Sequence, residues 1–185
     1  MKHVNSVAAR RSLAMQGALV LGGSALIALA AQVSVPMFPV PMTLQTLAIS
    51  LIGLTYGSRL AALTVLAYLA EGAMGLPVFA GAGAGIASLM GPTAGFLWGY
   101  IPMVWLTGWL VERGLDRGVP RLFAAAVLPA MLLYVPGTIG VALFTGMGIS
   151  AAVTVAVLPF ILGDAVKTLI AAMAVSGSRI VTTRL

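Results

Sequence analysis

Two residues of opposite charge, Asp164 and Lys167, lie inside an apolar segment near the end of the chain. They are three positions apart, so on a helix they share one face and their side chains can touch. A charged side chain at the centre of a bilayer costs roughly 2.5–3.5 kcal/mol on insertion scales, and such residues usually mark functional sites. The pair therefore indicates a site for a polar ligand. The alternative is a structural ion pair, or a lysine that extends to the membrane surface.

The composition is that of an integral membrane protein. Of the 185 residues, 61% are hydrophobic and only 8% are charged, whereas a soluble domain has about 25% charged residues. We expect a single transmembrane domain over residues 1–185, placed in a cell membrane of the bacterial or archaeal type and surrounded by the lipid bilayer.

The residues that most enzymes and metal sites use are missing from the sequence. It has no cysteine, and its single histidine is His3, which removes thiol nucleophiles, histidine-based triads and the usual ligands of zinc or copper. We therefore expect no catalytic residue, no metal and no cofactor, and we do not expect an enzyme. The net charge of +6 does not indicate nucleic acid, because the basic residues follow a membrane topology instead.

Hydropathy and helix breakers predict an all-α protein with six spans, each covering all or most of the ~20 residues that cross a bilayer. The predicted spans are about 13–33, 42–57, 60–73, 92–111, 122–144 and 159–177, with a break in the fifth at Pro129 and Pro136 and a short surface helix or tucked loop at 150–157. With the N-terminus inside, nine of the ten Lys and Arg residues fall on the cytoplasmic side, so both termini are predicted to be cytoplasmic. A secretory signal peptide is the alternative for the first span, because Ala28-Leu29-Ala30 is a small-x-small site.

Two uncharged connections on the predicted outer side are unusual. Residues 34–43 contain three prolines, which cannot continue a helix, and residues 74–93 are rich in glycine and contain no Arg, Asn or Gln. The spacing of Gly81, Gly83 and Gly85 matches neither a dinucleotide fingerprint nor a P-loop. We expect both segments to cap a site, the second as a lid whose backbone can approach a ligand; a merely flexible loop is the alternative.

These features converge on the outer face. Asp164 lies about 7–8 Å below the start of the last helix at 1.5 Å per residue. Thr43 and Gln45 place a hydroxyl and an amide at the entry of the second span, and Tyr68 lies near the far end of the third. The sequence therefore predicts a small-molecule pocket that opens to the outside.

Small residues recur every four positions on the first predicted helix, at Ala14, Ala18 and Gly22. This spacing forms one stripe along which a partner helix can approach closely. Packing of the stripe inside the protein's own bundle is the alternative.

Four motifs resemble the signatures of one known family: Pro39-Val-Pro-Met-Thr-Leu-Gln45, Gly75-Leu-Pro-Val-Phe79, Gly91-Pro-Thr-Ala-Gly95 and Phe160-Ile-Leu-Gly-Asp164-Ala-Val-Lys167. In this order, and over nearly the whole chain, they resemble the BioY proteins, the biotin-binding S components of energy-coupling factor (ECF) transporters. The resemblance implies an S-component-like bundle of six helices with extracytoplasmic capping loops, which binds biotin from the outside for high-affinity uptake.

The resemblance also implies residue roles. The aspartate and lysine of the last helix match Asp164 and Lys167. The hypothesis is that Asp164 accepts hydrogen bonds from the ureido N–H groups of biotin, while Lys167 donates to the ureido oxygen or to the carboxylate. Thr43 and Gln45 would complete the polar end of the pocket. Tyr68 and Phe79 would be its apolar walls.

The energy for uptake has to come from partners, because the chain has no Walker A motif. The resemblance implies a transmembrane T component and two ABC-type ATPases, with the stripe of Ala14, Ala18 and Gly22 facing the T component; a homo-oligomer also stays open. An ion-coupled secondary transporter of another small carboxylate or vitamin is the main alternative, although the sequence shows no inverted repeat. An intramembrane enzyme would need a nucleophile–base pair or a metal cluster, and the sequence has neither.

Overall fold

The computed structural model describes residues 12–183. The basic residues Lys2, Arg10, Arg11 and Arg184, on which the predicted topology partly depends, lie outside the described residues, as does His3.

The described part of the chain is a bundle of α-helices. The seven α-helices of this part are α1 (Leu13–Gln32), α2 (Gln45–Tyr56), α3 (Ser58–Ala73), α4 (Ala94–Glu112), α5 (Val119–Thr145), α6 (Ile149–Ala156) and α7 (Leu158–Thr183). The connection between α1 and α2 contains two short antiparallel strands, β1 (Ser34–Val35) and β2 (Met42–Thr43). The connection between α3 and α4 contains two 3-10 helices, Ala80–Ala82 and Ile86–Met90.

Each predicted span contains a helix, but the structure supports the count of six only in part. Four stretches of the described chain are long and apolar enough to cross a membrane: Leu13–Gln32, Ala94–Glu112, Val119–Thr145 and Ile149–Ser178. With 12 and 16 residues, α2 and α3 are about 18 Å and 24 Å long at 1.5 Å per residue. Both are shorter than the ~30 Å of bilayer hydrocarbon, so the six-span count stays a prediction.

The structure corrects the sequence-based expectations at two places. The fifth helix was expected to break at its prolines, but α5 runs through Pro129 and Pro136 without interruption. Prolines are tolerated in membrane helices because neighbouring helices and local adjustments satisfy the freed carbonyl groups. The second predicted span begins later than expected, because residues 42–43 belong to β2 and α2 begins at Gln45.

The segment predicted at 150–157 as a surface helix or tucked loop is a helix, α6. It is followed almost at once by α7, which carries Asp164 and Lys167. The two predicted capping connections are the segments between α1 and α2 and between α3 and α4. They are called the first loop (34–43) and the second loop (74–93) below.

The small-residue stripe of α1 does not pack inside the bundle. Ala14, Ala18 and Gly22 are exposed, and a Cβ atom built on Gly22 would meet no atom within 4 Å. The other side of α1 makes the internal contacts, through buried residues that include Ser24 and Ile27. Of the two alternatives for the stripe, internal packing is therefore wrong, and an open face remains.

Helices α4 and α5 pack closely at glycine residues, which leave no room for a side chain. A Cβ atom built on Gly95 would collide with the backbone carbonyl of Pro136, and one built on Gly99 would lie 2.7 Å from the Leu133 side chain. This contact fixes the spacing of two helices that line the cavity described below.

We predict that Gly95→Ala destabilises the protein, because the added methyl group meets backbone that cannot rotate away. Overpacking of this kind typically costs about 1–3 kcal/mol, which lowers the midpoint of thermal unfolding in detergent. Gly17→Ala is the matched control, since its Cβ would meet nothing within 4 Å and Ala favours a helix over Gly. Equal midpoints for wild type and Gly95→Ala would contradict the packing described.

Candidate functional site

A cavity of about 410 Å³ lies between the two loops and helices α2, α4, α5 and α7. Its volume is within the range of roughly 300–1,000 Å³ that is usual for small-molecule sites. The first loop contributes Val40, Pro41 and Thr43 to the lining, and the second loop contributes residues between Phe79 and Thr93. Both connections that the sequence singled out therefore border the same cavity.

The carboxylate of Asp164 is the most highly coordinated group in the cavity wall. Its Oδ1 accepts hydrogen bonds from the Thr46 hydroxyl at 2.7 Å and from the Lys167 ammonium at 3.0 Å. Its Oδ2 accepts from the Tyr134 hydroxyl at 2.8 Å. A carboxylate offers about four acceptor positions, so one position, on Oδ2, is left for a ligand.

The ion pair of Asp164 and Lys167 is buried. The two residues are only 2% and 8% exposed, and the pair forms within one helix at the predicted spacing of three residues. A charge of either sign would be costly in such an environment without its partner. The Lys167 ammonium has three N–H donors, of which the ion pair uses one.

A chain of hydrogen bonds holds the side chain of Gln45. The Thr43 hydroxyl donates to Gln45 Oε1 at 2.9 Å, and Gln45 Nε2 donates to the Tyr68 hydroxyl at 2.8 Å. Tyr68 in turn donates to the backbone carbonyl of Val78 in the second loop at 3.1 Å. The chain connects the end of β2, α2, α3 and the second loop, and it fixes which end of the Gln45 amide is the donor.

Five of the six predicted ligand-binding residues line the cavity: Asp164, Lys167, Gln45, Thr43 and Phe79. The structure places Tyr68 elsewhere. It is completely buried behind the lining, where it holds Gln45 and packs edge-on against the Phe79 ring with centroids 5.4 Å apart.

Three polar residues of the site were not predicted from the sequence. Thr46 and Tyr134 bind the carboxylate of Asp164 directly, and Tyr100 lies on the cavity wall. Thr46 could have been suspected from the sequence, because it follows Gln45 at the start of a helix. For Tyr134 and Tyr100 the sequence shows only a polar residue in an apolar span, because their role depends on contacts between distant helices.

Apart from Ser88 and Thr93 of the second loop, the rest of the lining is apolar. Phe96 and Phe160 stack with ring centroids 6.2 Å apart, and Leu97 and Leu133 continue the same wall. In the described part of the chain, no group of three or more His, Cys, Asp or Glu residues is placed to hold a metal. The arrangement suits a ligand with a compact polar head and an apolar body.

Gln32, the last residue of α1, attaches the second loop to that helix. Its Nε2 donates to the Phe79 carbonyl at 3.0 Å, and its Oε1 accepts from the Ala82 backbone N–H at 3.0 Å. Ala82 has a φ of 57°, which is uncommon for a residue other than glycine. The amide of Gln32 thus stabilises a tight loop that contributes Phe79, Ala80 and other residues to the cavity wall.

Comparison with known proteins places these features in a family. The sequence profile described as the BioY family matches residues 2–183. The chain is 34% identical to "Biotin transporter BioY2" of Lactococcus lactis subsp. cremoris, over 82% of this chain and 83% of that protein. It is 38% identical to "Probable biotin transporter BioY" of Pyrococcus horikoshii, over 77% of this chain and 83% of that protein.

The fold also matches a solved structure, the crystal structure at 2.1 Å of the S-component for biotin from an ECF-type ABC transporter. The TM-score is 0.82, with 22% sequence identity, and the match covers 97% of this chain and 94% of that one. At this identity the likeness establishes the fold. It confirms the S-component-like bundle predicted from the sequence.

We predict that Gln32→Ala loosens the second loop. The variant loses two hydrogen bonds to the loop backbone, and losing about 1 kcal/mol per bond raises the rate of local opening at least about fivefold. Hydrogen–deuterium exchange of peptides from residues 74–93 measures this directly. Thr154→Ala is the control, because its hydroxyl bonds only within α6; equal exchange in both variants would show that Gln32 does not hold the loop.

Proposed function

This chain belongs to the BioY family, as its four motifs predicted, and we propose that it binds biotin in the cavity between the two loops and serves biotin uptake. The observation that carries the proposal is the buried pair of Asp164 and Lys167, which lines a mostly apolar cavity bordered by both loops. Biotin is the transported substrate. We assign the chain no catalytic residue, cofactor or metal.

Biotin has the chemistry that this cavity suits. Its ureido ring has two N–H donors and a carbonyl acceptor, its thiophane ring and tail are apolar, and its end is a carboxylate. The free position on Asp164 Oδ2 accepts one ureido N–H, and the two remaining donors of Lys167 face the ureido oxygen or the carboxylate. Thr43 and Gln45 complete the polar end. The apolar body lies against Phe79 and the other aromatic side chains of the wall.

Tyr68 acts in this proposal from behind the site. It was predicted as an apolar wall, but its hydroxyl holds the Gln45 amide and its ring supports that of Phe79. Gly72 lies one turn further along α3, and a Cβ atom there would collide with the Phe79 ring. Tyr68 therefore positions Gln45 and Phe79 for the ligand, and Gly72 leaves room for the Phe79 ring.

The proposed topology has six spans in one domain with both termini in the cytoplasm of a bacterial or archaeal-type cell. Of the described residues, Arg59, Arg113, Arg117 and Arg121 lie at the helix ends remote from the two loops, and neither loop has a basic residue. This distribution supports an outward-facing cavity. The short helices α2 and α3 fit the proposal because non-helical backbone at membrane depth is allowed where it is covered by protein or lines a cavity.

The proposed partners are an ECF T component and two ABC-type ATPases, since the chain itself carries no ATPase motif. The exposed stripe of Ala14, Ala18 and Gly22 is the proposed contact with the T component, because small residues let helices approach closely in lipid. The alternative is that the stripe contacts a second copy of this chain in a homo-oligomer.

We predict tight biotin binding to the purified protein in detergent, measured by calorimetry, and its loss in Asp164→Asn and Lys167→Ala. Removing one partner of a buried, hydrogen-bonded charge pair typically costs 2–5 kcal/mol, so each variant should bind at least about 30-fold more weakly. Asp116→Asn makes the same chemical change in the connection between α4 and α5, far from the cavity, and should bind like wild type. Thermal unfolding of each variant shows whether it is folded.

Two results would contradict the proposal in different ways. If both variants still bind biotin tightly, the ion pair is not part of the binding site, although biotin is the ligand. If the wild-type protein does not bind biotin, biotin is not its ligand.

For the partner surface, we predict that Ala18→Leu prevents co-purification with a co-expressed T component but leaves biotin affinity unchanged. The larger side chain holds a partner helix away from the stripe. Ala174→Leu places the same side chain on an exposed position of α7 and should not affect the complex. Normal complex formation by Ala18→Leu would move the interface to another face.

A further inference from the structure

The cavity has charged side chains at one place only. Of the described residues that line it, Asp164 and Lys167 are the charged ones, and they pair with each other at 3.0 Å. The lining from the two loops is uncharged. Its hydroxyl groups are those of Thr43, Ser88 and Thr93. The Thr43 hydroxyl donates to Gln45 and the Ser88 hydroxyl to the backbone carbonyl of Ala84.

The charged and the uncharged parts of the cavity lie at different depths along α7. Asp164 and Lys167 are about 9 Å and 13–14 Å along α7 from its first residue, at 1.5 Å per residue. The stacked rings of Phe96 and Phe160 lie in the first turns of α4 and α7, beside the second loop, which ends at Thr93. The cavity therefore extends from the ion pair to a wall of loop residues without a cation.

This arrangement sets the direction in which biotin binds. The ion pair is neutral as a unit, so a ureido ring bound to it leaves the buried end neutral. A carboxylate bound there would add an uncompensated negative charge next to Asp164, which is strongly unfavourable in a buried site. The ureido ring therefore belongs at the ion pair and the carboxylate at the loops.

With the ureido ring at the ion pair, as in the proposed function, we propose that this protein forms no ion pair with the carboxylate of biotin. The inference rests on the proposed binding of biotin. It widens the substrate class to biotin derivatives whose carboxylate is converted to a small neutral group, such as a primary amide or a methyl ester. A change in the ureido ring is not tolerated, because that ring meets both charges.

The test is a comparison of dissociation constants for biotin, biotinamide, biotin methyl ester and 2-iminobiotin with the wild-type protein. We expect biotinamide and the methyl ester to bind within about threefold of biotin. We expect 2-iminobiotin to bind at least 100-fold more weakly, because it replaces the ureido oxygen by nitrogen and presents a donor or a cation to Lys167. A loss of tenfold or more for both neutral derivatives, with tight binding of biotin, would overturn the inference and leave the proposed function intact.

Lys167→Gln separates the two roles that Lys167 can have. If Lys167 meets the ureido ring, biotin and biotinamide lose affinity equally, and the ratio of their dissociation constants stays near one in both proteins. A wild-type preference for biotin of tenfold or more that falls to near one in Lys167→Gln would assign Lys167 to the carboxylate and overturn the inference. Should the variant fail to fold, the ratio for the wild type decides alone. Failure of biotin itself to bind would overturn the proposed function, and this inference with it.

Discussion

The buried ion pair between Asp164 and Lys167 is the interaction on which the site depends. An isolated charge would be expelled from this environment or neutralised, but each charge here has its partner 3.0 Å away. The Asp164 carboxylate also accepts hydrogen bonds from the hydroxyl groups of Thr46 in α2 and Tyr134 in α5. The pair thus gathers three helices around one carboxylate and still leaves acceptor and donor positions for a ligand. That surplus of hydrogen-bonding capacity is what supports the proposed ligand site over a purely structural ion pair.

The two loops complete the site because other elements hold them in place. Gln32 binds the backbone of the second loop from the end of α1, and Tyr68 binds the carbonyl of Val78 from α3. The exposed stripe of small residues lies on that same first helix. A displacement of the end of α1 would therefore act on the cavity wall.

Local patterns in the sequence predicted the parts of the site that depend on local geometry. The spacing of Asp164 and Lys167 placed them on one face, and prolines and glycines marked the two loops as non-helical. Contacts between distant segments could not be predicted in this way. Thr46 is 118 positions from Asp164 and Tyr134 is 30 positions away, so only the packing of α2, α5 and α7 reveals their role. The predicted break at Pro129 and Pro136 was wrong for a related reason, because neighbouring helices allow α5 to continue through both prolines.

A structure determined with biotin bound would show whether the ion pair and the two loops form the binding site. We expect the ureido ring in the cavity between the loops, with its polar atoms about 2.7–3.2 Å from Asp164 Oδ2 and Lys167 Nζ, and the carboxylate directed towards the two loops. Biotin located outside this cavity, or bound with its ureido ring away from the ion pair, would contradict the proposed binding site.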